Sequence, residues 1–144
     1  MDLREEIELA FTDTPYPGDD NIAGPNDEGT LEYFSGKTWK GHSARELRKH
    51  SSSLYFLTPD AFRYFLPAYM VAAVEQPDEA DIISLTIALE FSRWRFDRQC
   101  QELFTKPELR AIVRFFDDCA VREMNHDAFF RQASFDARRS LEAR

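Results

Sequence analysis

Helix-start signals recur along this sequence, and each one precedes a stretch with the apolar spacing of a helix. Ser43-Ala-Arg-Glu46 forms a capping box, in which the serine oxygen accepts a backbone N–H and the glutamate reaches back. Thr58-Pro59-Asp60 combines an N-cap residue, a proline at the first helical position and a carboxylate in the first turn. Thr105-Lys-Pro-Glu108 repeats this pattern. The signals predict helices that begin near residues 43, 58 and 105.

Apolar spacing extends the helical interpretation to both ends of the chain. Leu3, Ile7 and Phe11 form one stripe of a short helix over residues 2–12. Pro77 opens another helix, whose stripe comprises Ala80, Ile83, Ile87, Phe91 and Trp94. The last helix begins near Asp127 and carries Phe130, Ala133, Ala137 and Leu141. We therefore predict an all-α fold, a single domain over residues 1–144 built as an irregular bundle of six or seven helices.

Pro67 falls in the middle of the helix that begins after Thr58. Proline has no N–H to donate to the carbonyl of Arg63, and its ring crowds that carbonyl, so we expect a kink or a break there. Tyr64 and Tyr69 flank the proline. Bulky aromatics in such a helix usually pack in the core, and the thirteen Phe, five Tyr and two Trp are enough for a dense one. The alternative is a pocket wall at the kink, with the two phenols as its polar groups.

The charge of the chain is unevenly distributed. The net charge is −8, and residues 1–35 hold one basic residue, Arg4, against ten acidic ones. This argues against nucleic acid as a partner, because phosphate binding needs clustered lysine and arginine. It also argues against a basic membrane-binding face, and no stretch reaches the length of an apolar membrane span. We expect a cytoplasmic protein whose acidic first quarter is either a solvated face or a surface for a basic partner.

The segment from Thr14 to Asn21 is dense in turn-forming residues. Pro17-Gly18 suits the two central positions of a type II turn, where proline fixes φ and glycine accepts a positive φ. We expect the turn to be ordered, with its carboxylates bound to backbone N–H groups or to the helix starts at Ser43 or Thr58.

No pattern in the sequence predicts catalysis or metal binding. The histidines, His42, His50 and His126, lack the spacing that places two imidazoles on one helix face. Asp19, Asp20 and Asn21 offer oxygen ligands but not the set of a calcium-binding loop. Asp117 and Asp118 are adjacent carboxylates, for which a salt-bridged helix face with Arg122 is the simpler interpretation. Cys100 and Cys119 are expected to be buried free thiols. We predict no catalytic residue, no metal site and no cofactor.

Two blocks of the sequence resemble a known family. The first is Phe11-Thr-Asp-Thr-Pro-Tyr-Pro-Gly-Asp-Asp-Asn-Ile22 with Phe34-x-Gly-Lys-x-Trp39, and the second runs from Phe56 to Met70. Together they are similar to a widespread, mostly bacterial family known only as a domain of unknown function, and the run from Leu57 to Tyr69 is the specific part. Many members carry cysteines between the blocks, where this chain has none. The resemblance implies no activity. It implies that the family pattern includes Tyr16, Gly18, Asp19, Asp20, Trp39, Tyr64, Pro67 and Tyr69.

Three functions are compatible with these features. The first is a non-enzymatic binding protein, most concretely an immunity protein that neutralises a basic toxin domain. Its expected binding residues are Asp19, Asp20, Asp27, Glu28, Trp39, Tyr64 and Tyr69. The second is a small enzyme or ligand sensor with a pocket near Asp19, Asp20 and the Tyr64 to Tyr69 helix. The third is a structural adaptor whose broad apolar helices form a homodimer.

Overall fold

A computed structural model describes residues 1–24, 29–93 and 102–144 of the chain. Within these ranges the protein contains nine α-helices and no strand, and two residues, Ala23 and Leu57, form an isolated antiparallel bridge. The helices are α1 Leu3–Ala10, α2 Thr30–Phe34, α3 Ala44–Lys49, α4 Ser53–Phe56, α5 Pro59–Glu75, α6 Pro77–Ala80, α7 Ile83–Arg93, α8 Lys106–Arg122 and α9 Asp127–Glu142. The predicted all-α irregular bundle is confirmed.

The three predicted helix starts are confirmed by their hydrogen bonds. Ser43 Oγ accepts the backbone N–H of Glu46 at 3.1 Å, and Thr58 Oγ1 accepts that of Ala61 at 3.1 Å. At Thr105 the capping box is complete, because its hydroxyl accepts the N–H of Glu108 while the Glu108 carboxylate accepts the N–H of Thr105. Each cap satisfies donors that have no partner inside the helix, so the chain changes direction at defined residues.

Pro67 lies inside α5, and the helix continues past it without interruption to Glu75. A kink and a break were the two expected outcomes, and the break does not occur. The reason is burial. Eleven residues of α5 are buried, and the helix packs against α1, α3, α6 and α7. Packing on so many sides holds the helix together despite the hydrogen bond that the proline cannot donate.

The helix predicted to begin at Pro77 is divided in two. α6 ends at Ala80, Asp81 has a φ of 53° and a ψ of −111°, and α7 begins at Ile83. A non-glycine residue rarely adopts this combination of angles, and it persists here between two packed helices. The Asp81 carboxylate forms an ion pair with Arg48 at 2.8 Å. The division lets α6 pack on α3 while α7 packs on α5 and α9. Trp94, the last residue of the predicted stripe, lies outside the described residues.

The core is built largely from aromatic rings. Phe34 packs on Phe65 with ring centroids 4.4 Å apart, and Phe91 packs on Phe116 at 5.4 Å. Cys119 is buried among these helices, and burial raises the pKa of its thiol to about 12. The prediction for Cys119 is confirmed, whereas Cys100 lies outside the described residues. In the part of the chain that the structure describes, no helix combines the length and apolarity needed to cross a membrane.

A buried ion pair joins α5 to the beginning of α8. Arg63 Nε lies 2.9 Å from Glu108 Oε1 and its Nη2 lies 3.1 Å from Oε2, so the contact is bidentate. The Glu108 side chain is 1% exposed and that of Arg63 is 15% exposed. The same carboxylate accepts the hydroxyl of Thr14 and, at 2.7 Å, the N–H of Thr105. Glu108 therefore connects α5, α8 and the segment that follows α1.

Removal of either partner of this ion pair should strongly destabilise the protein. We expect Arg63→Ala or Glu108→Ala to lower the free energy of unfolding by about 3–5 kcal/mol, because each leaves a charge without its counterion. In a double-mutant cycle measured by urea denaturation, the two substitutions should be strongly non-additive.

The half-exposed pair between Glu6 and Arg114 is the matched control. A cycle on Glu6→Ala and Arg114→Ala should give a coupling of about 0–1 kcal/mol, because exposed pairs contribute little. An equally small coupling for Arg63 and Glu108 would contradict their proposed structural role.

Candidate functional site

The acidic loop, defined here as residues 12–24, contains one 3-10 turn at Asp19–Asn21, is otherwise irregular, and is firmly held. Its first attachment involves Tyr16, Asp19 and Gly36. The Tyr16 hydroxyl donates to the Asp19 carboxylate, and the N–H of Gly36 donates to Tyr16 Oη at 2.7 Å and to Asp19 Oδ1 at 3.2 Å. Burial, and then the neighbouring Asp19 carboxylate, raise the pKa of the Tyr16 phenol, so the group stays protonated and continues to donate.

The second attachment is at the beginning of α5. Asn21 Nδ2 donates to Asp60 Oδ2 at 2.8 Å, and the Thr58 hydroxyl donates to the carbonyl of Asn21 at 2.8 Å. The N–H of Thr58 donates to the carbonyl of Ile22 at 2.9 Å, and the Ile22 side chain is fully buried. The prediction for the carboxylates is confirmed at Asp19, which accepts the N–H of Gly36, but not at Asp20. The Thr58 helix start is bound instead through Asn21 and the carbonyl of Ile22. With Thr14 bound to Glu108, the loop is fixed to the long helices α5 and α8 and to Gly36, which follows α2.

Gly18 supplies the backbone geometry that this loop needs. Its φ of 96° agrees with the predicted positive φ, but its ψ of 146° is far from the value near 0° of a type II turn. The type II prediction was therefore wrong in ψ. The chain turns one residue later instead, where the N–H of Asn21 donates to the carbonyl of Gly18 at 2.9 Å. Such a combination of angles is close to a region that only glycine populates readily.

The predicted acidic binding residues separate into three groups. Asp19 is exposed, but its carboxylate is used by Tyr16 and Gly36. Asp20 is exposed, and its carboxylate forms no hydrogen bond with another residue of the described ranges. Asp27 and Glu28 lie outside the described residues. The structure thus leaves Asp20 available to a partner and gives Asp19 a role in holding the loop.

The predicted aromatic binding residues lie in the core. Trp39, Tyr64 and Tyr69 are 5%, 7% and 0% exposed. Tyr64 packs edge-on against Tyr16 at 5.5 Å, and the Tyr69 hydroxyl donates to the carbonyl of His50 at 2.6 Å. Burial raises the pKa of Tyr69, so its phenol remains a donor inside the protein. A direct binding role for these three rings stays a prediction; the contacts observed for the two tyrosines support the loop and the helices around it.

The predicted carboxylate pair on α8 is engaged in ion pairs. Asp118 pairs with Arg122 at 2.6 Å, as the sequence predicts, and Asp117 binds Arg138 and the hydroxyl of Ser134 on α9. Ile82, directly before α7, and Leu89 within α7 are 54% and 47% exposed. The homodimer hypothesis depends on broad apolar helices with such exposed side chains, and it stays a prediction.

Sequence reasoning missed a cluster of Tyr33, His42 and His50, which the bends between α2 and α3 bring together. His42 Nε2 lies 2.7 Å from the carbonyl of Thr38, so this nitrogen carries a hydrogen. Nδ1 of His42 therefore accepts the Tyr33 hydroxyl at 2.8 Å, and the Tyr33 ring stacks on His50 at 4.0 Å. The three positions follow no helical repeat, which is why spacing alone gave no signal.

Both imidazoles of this cluster favour the neutral form. Burial lowers the pKa of His42, partly opposed by its hydrogen bond to Thr38, and burial also lowers the pKa of His50. Burial raises the pKa of the Tyr33 phenol. At neutral pH the three rings are therefore uncharged, with Tyr33 hydrogen-bonded to His42 and stacked on His50.

Gly18→Ala should destabilise the protein by about 1–3 kcal/mol, because alanine resists the positive φ at this position. Gly24→Ala is the matched control, since Gly24 does not have a positive φ and open space surrounds both glycines. Chemical denaturation of the two variants should show a loss for Gly18→Ala alone. Equal stability of the two variants would contradict the backbone assignment.

The histidine cluster should make stability depend on pH. Because the folded-state pKa of His42 is lowered, the unfolded chain binds the proton more readily, and the free energy of unfolding should fall as pH drops below about 6.5. His42→Gln keeps one acceptor for Tyr33 and one donor for Thr38 but cannot take up a proton. Urea denaturation between about pH 7 and about pH 5 should show a shallower fall for this variant. A parallel pH dependence for the wild type and the variant would contradict the assignment.

Comparison with known proteins identifies a family but no activity. The model described as "Family of unknown function (DUF6714)" matches residues 23–137, which are 115 of the 144 residues. No curated protein and no solved structure matches the chain. The match includes the run from Leu57 to Tyr69, whereas the turn from Thr14 to Asn21 lies before its first residue. The chain therefore belongs to this family of unknown function.

Proposed function

We propose that this chain is a non-enzymatic binding protein that presents the acidic loop to a basic surface of a partner protein. The observation that carries the proposal is an exposed acidic segment with a fixed conformation. Asp13 and Asp20 are exposed and form no hydrogen bond with another described residue, while the loop between them is attached through Thr14, Tyr16 and Asp19. A loop that is already ordered loses little conformational entropy on binding.

The charges around the loop support this role. The loop itself contains no lysine or arginine. In α1, Arg4 is engaged by Glu8 at 3.0 Å and by Glu75 at 2.8 Å, while Glu6 pairs with Arg114 of α8. These ion pairs engage Arg4, Glu6 and Glu8 of the helix, whereas Glu5 of the helix and Asp13 and Asp20 of the loop are left to solvent. A negative patch of this kind attracts a positively charged partner over a distance of about 10 Å at moderate salt.

The most specific form of the proposal is that the partner is a basic toxin domain and that this chain is its cytoplasmic immunity protein. Inhibition by occlusion requires no reacting group on the inhibitor; it requires a stable, complementary surface and rapid association. Electrostatic steering supplies the rapid association, and the ordered loop contributes to slow dissociation.

Reversal of the loop charges tests the proposal. Asp13→Lys with Asp20→Lys should slow association with the partner about tenfold or more and should remove most of the salt dependence of the rate. Glu102→Lys with Glu142→Lys changes the net charge equally at exposed positions elsewhere and should leave association unchanged. The partner is first recovered from the native cells with the wild-type protein, and the rates are then measured by surface plasmon resonance.

Thermal melts of both variants are part of this experiment, because unchanged melting temperatures show that only the surface was altered. Equal association by the loop variant and the control variant would contradict the proposal. For the toxin form, the partner is expressed in sensitive cells with either variant. Survival with the control variant, but not with the loop variant, is the expected result.

A further inference from the structure

A cavity of about 680 Å³ lies between α1, α5 and the beginning of α8. Its buried end is formed by Arg63 and Glu108, and its open end includes Leu9, which is 65% exposed. The size is within the range of about 300–1,000 Å³ that is typical of small-molecule sites in proteins. Residues from three separate parts of the sequence line it, so the folded tertiary structure creates the cavity.

The guanidinium of Arg63 has unused donors at this cavity. Its Nε and Nη2 are directed to Glu108, as described above. Its Nη1 forms no hydrogen bond with another residue of the described ranges. Nη1 is not among the buried polar atoms that lack a partner, so it remains accessible and can donate to a molecule that enters the cavity. The cavity therefore offers a hydrogen-bond donor at its buried end.

The charges that line the cavity balance one another. Arg63 is neutralised by Glu108, and Glu6 is neutralised by Arg114. The two remaining charged lining residues, Arg110 and Asp13, have opposite signs. Of the other lining residues, Thr14 and Thr105 have their hydroxyls bound to Glu108, and the rest are apolar: Met1, Leu9, Ala10 and Pro107. Because the cavity has no net charge, an ionic ligand that enters it would lose more hydration free energy than its contacts there return. An uncharged apolar ligand does not have this cost.

We propose that this cavity binds an uncharged, mainly apolar small molecule that presents one hydrogen-bond acceptor, such as an amide carbonyl, to Nη1 of Arg63. The apolar part of the ligand lies against Leu9, Ala10 and Pro107, and the acceptor lies at the buried end. This site is additional to the protein-binding role proposed above and does not depend on it.

Hexanamide is a suitable probe, because it combines a short alkyl chain with an uncharged carbonyl group. Titration of the ¹⁵N-labelled full chain should give saturable chemical-shift changes at Ala10, Thr14 and Arg63. The dissociation constant should be roughly millimolar, which is ordinary for so small a ligand. Hexanoate and hexylammonium have the same alkyl chain but a charge, and each should bind at least about fivefold more weakly.

Two variants locate the binding. Ala10→Phe fills the cavity and should abolish the shifts, whereas Ala143→Phe places the same side chain at an exposed position near the end of the chain and should bind like the wild type. Leu9→Ser removes an apolar wall at an exposed position, so it is expected to fold, and it should weaken hexanamide about threefold or more.

Three outcomes would overturn the proposal. The first is the absence of a saturable shift with hexanamide, and the second is that hexanoate or hexylammonium binds as tightly as hexanamide. The third is a folded Ala10→Phe variant that binds hexanamide like the wild type. Should Ala10→Phe fail to fold, Leu9→Ser decides, and undiminished binding by it counts against the proposal. None of these outcomes bears on the charge-reversal experiment, which measures association with a protein.

Discussion

The buried ion pair between Arg63 and Glu108 is the contact on which much of the architecture depends. It joins the central helix α5 to the beginning of α8, and through Thr14 it also fixes the segment that leaves α1. A charge this deeply buried is tolerated only when its hydrogen-bonding capacity is met, and Glu108 meets it with acceptors for Arg63, Thr14 and Thr105. The contact is therefore specific: a shift of either helix would leave a buried charge without a partner.

This arrangement explains how a loop without regular structure keeps one conformation. Loops usually lie on the surface because their backbone groups need water or a partner. In the acidic loop the backbone partners include another backbone group of the loop, since the N–H of Asn21 donates to the carbonyl of Gly18, and the beginning of α5. There Thr58 caps its own helix and also binds the carbonyls of Asn21 and Ile22. The same threonine thus defines the start of a helix and the path of the loop beside it.

The sequence predicted what depends on local chemistry and missed what depends on tertiary packing. The caps at Ser43, Thr58 and Thr105 were correct, because they involve residues within one turn of each other. The division at Asp81 was missed, since a positive φ in a non-glycine residue is set by the helices packed on either side. The cluster of Tyr33 with His42, and the cavity beside Arg63, were missed for the same reason: their members meet only in the folded chain.

The structure also separates acidic residues with a structural role from those available for binding, which composition alone does not. Asp2 caps α1, and Glu6 forms an ion pair with α8, so neither charge is free to meet a partner. Asp19 serves its own loop, and its charge is partly offset by the hydroxyl and N–H that it accepts. Asp13 and Asp20 have no such partner among the described residues. Glu5 and Glu32 are exposed and without a partner in the same way, but they lie outside the acidic loop. Because solvated carboxylates contribute little to stability, Asp13 and Asp20 are the two loop charges on which the proposed binding role depends.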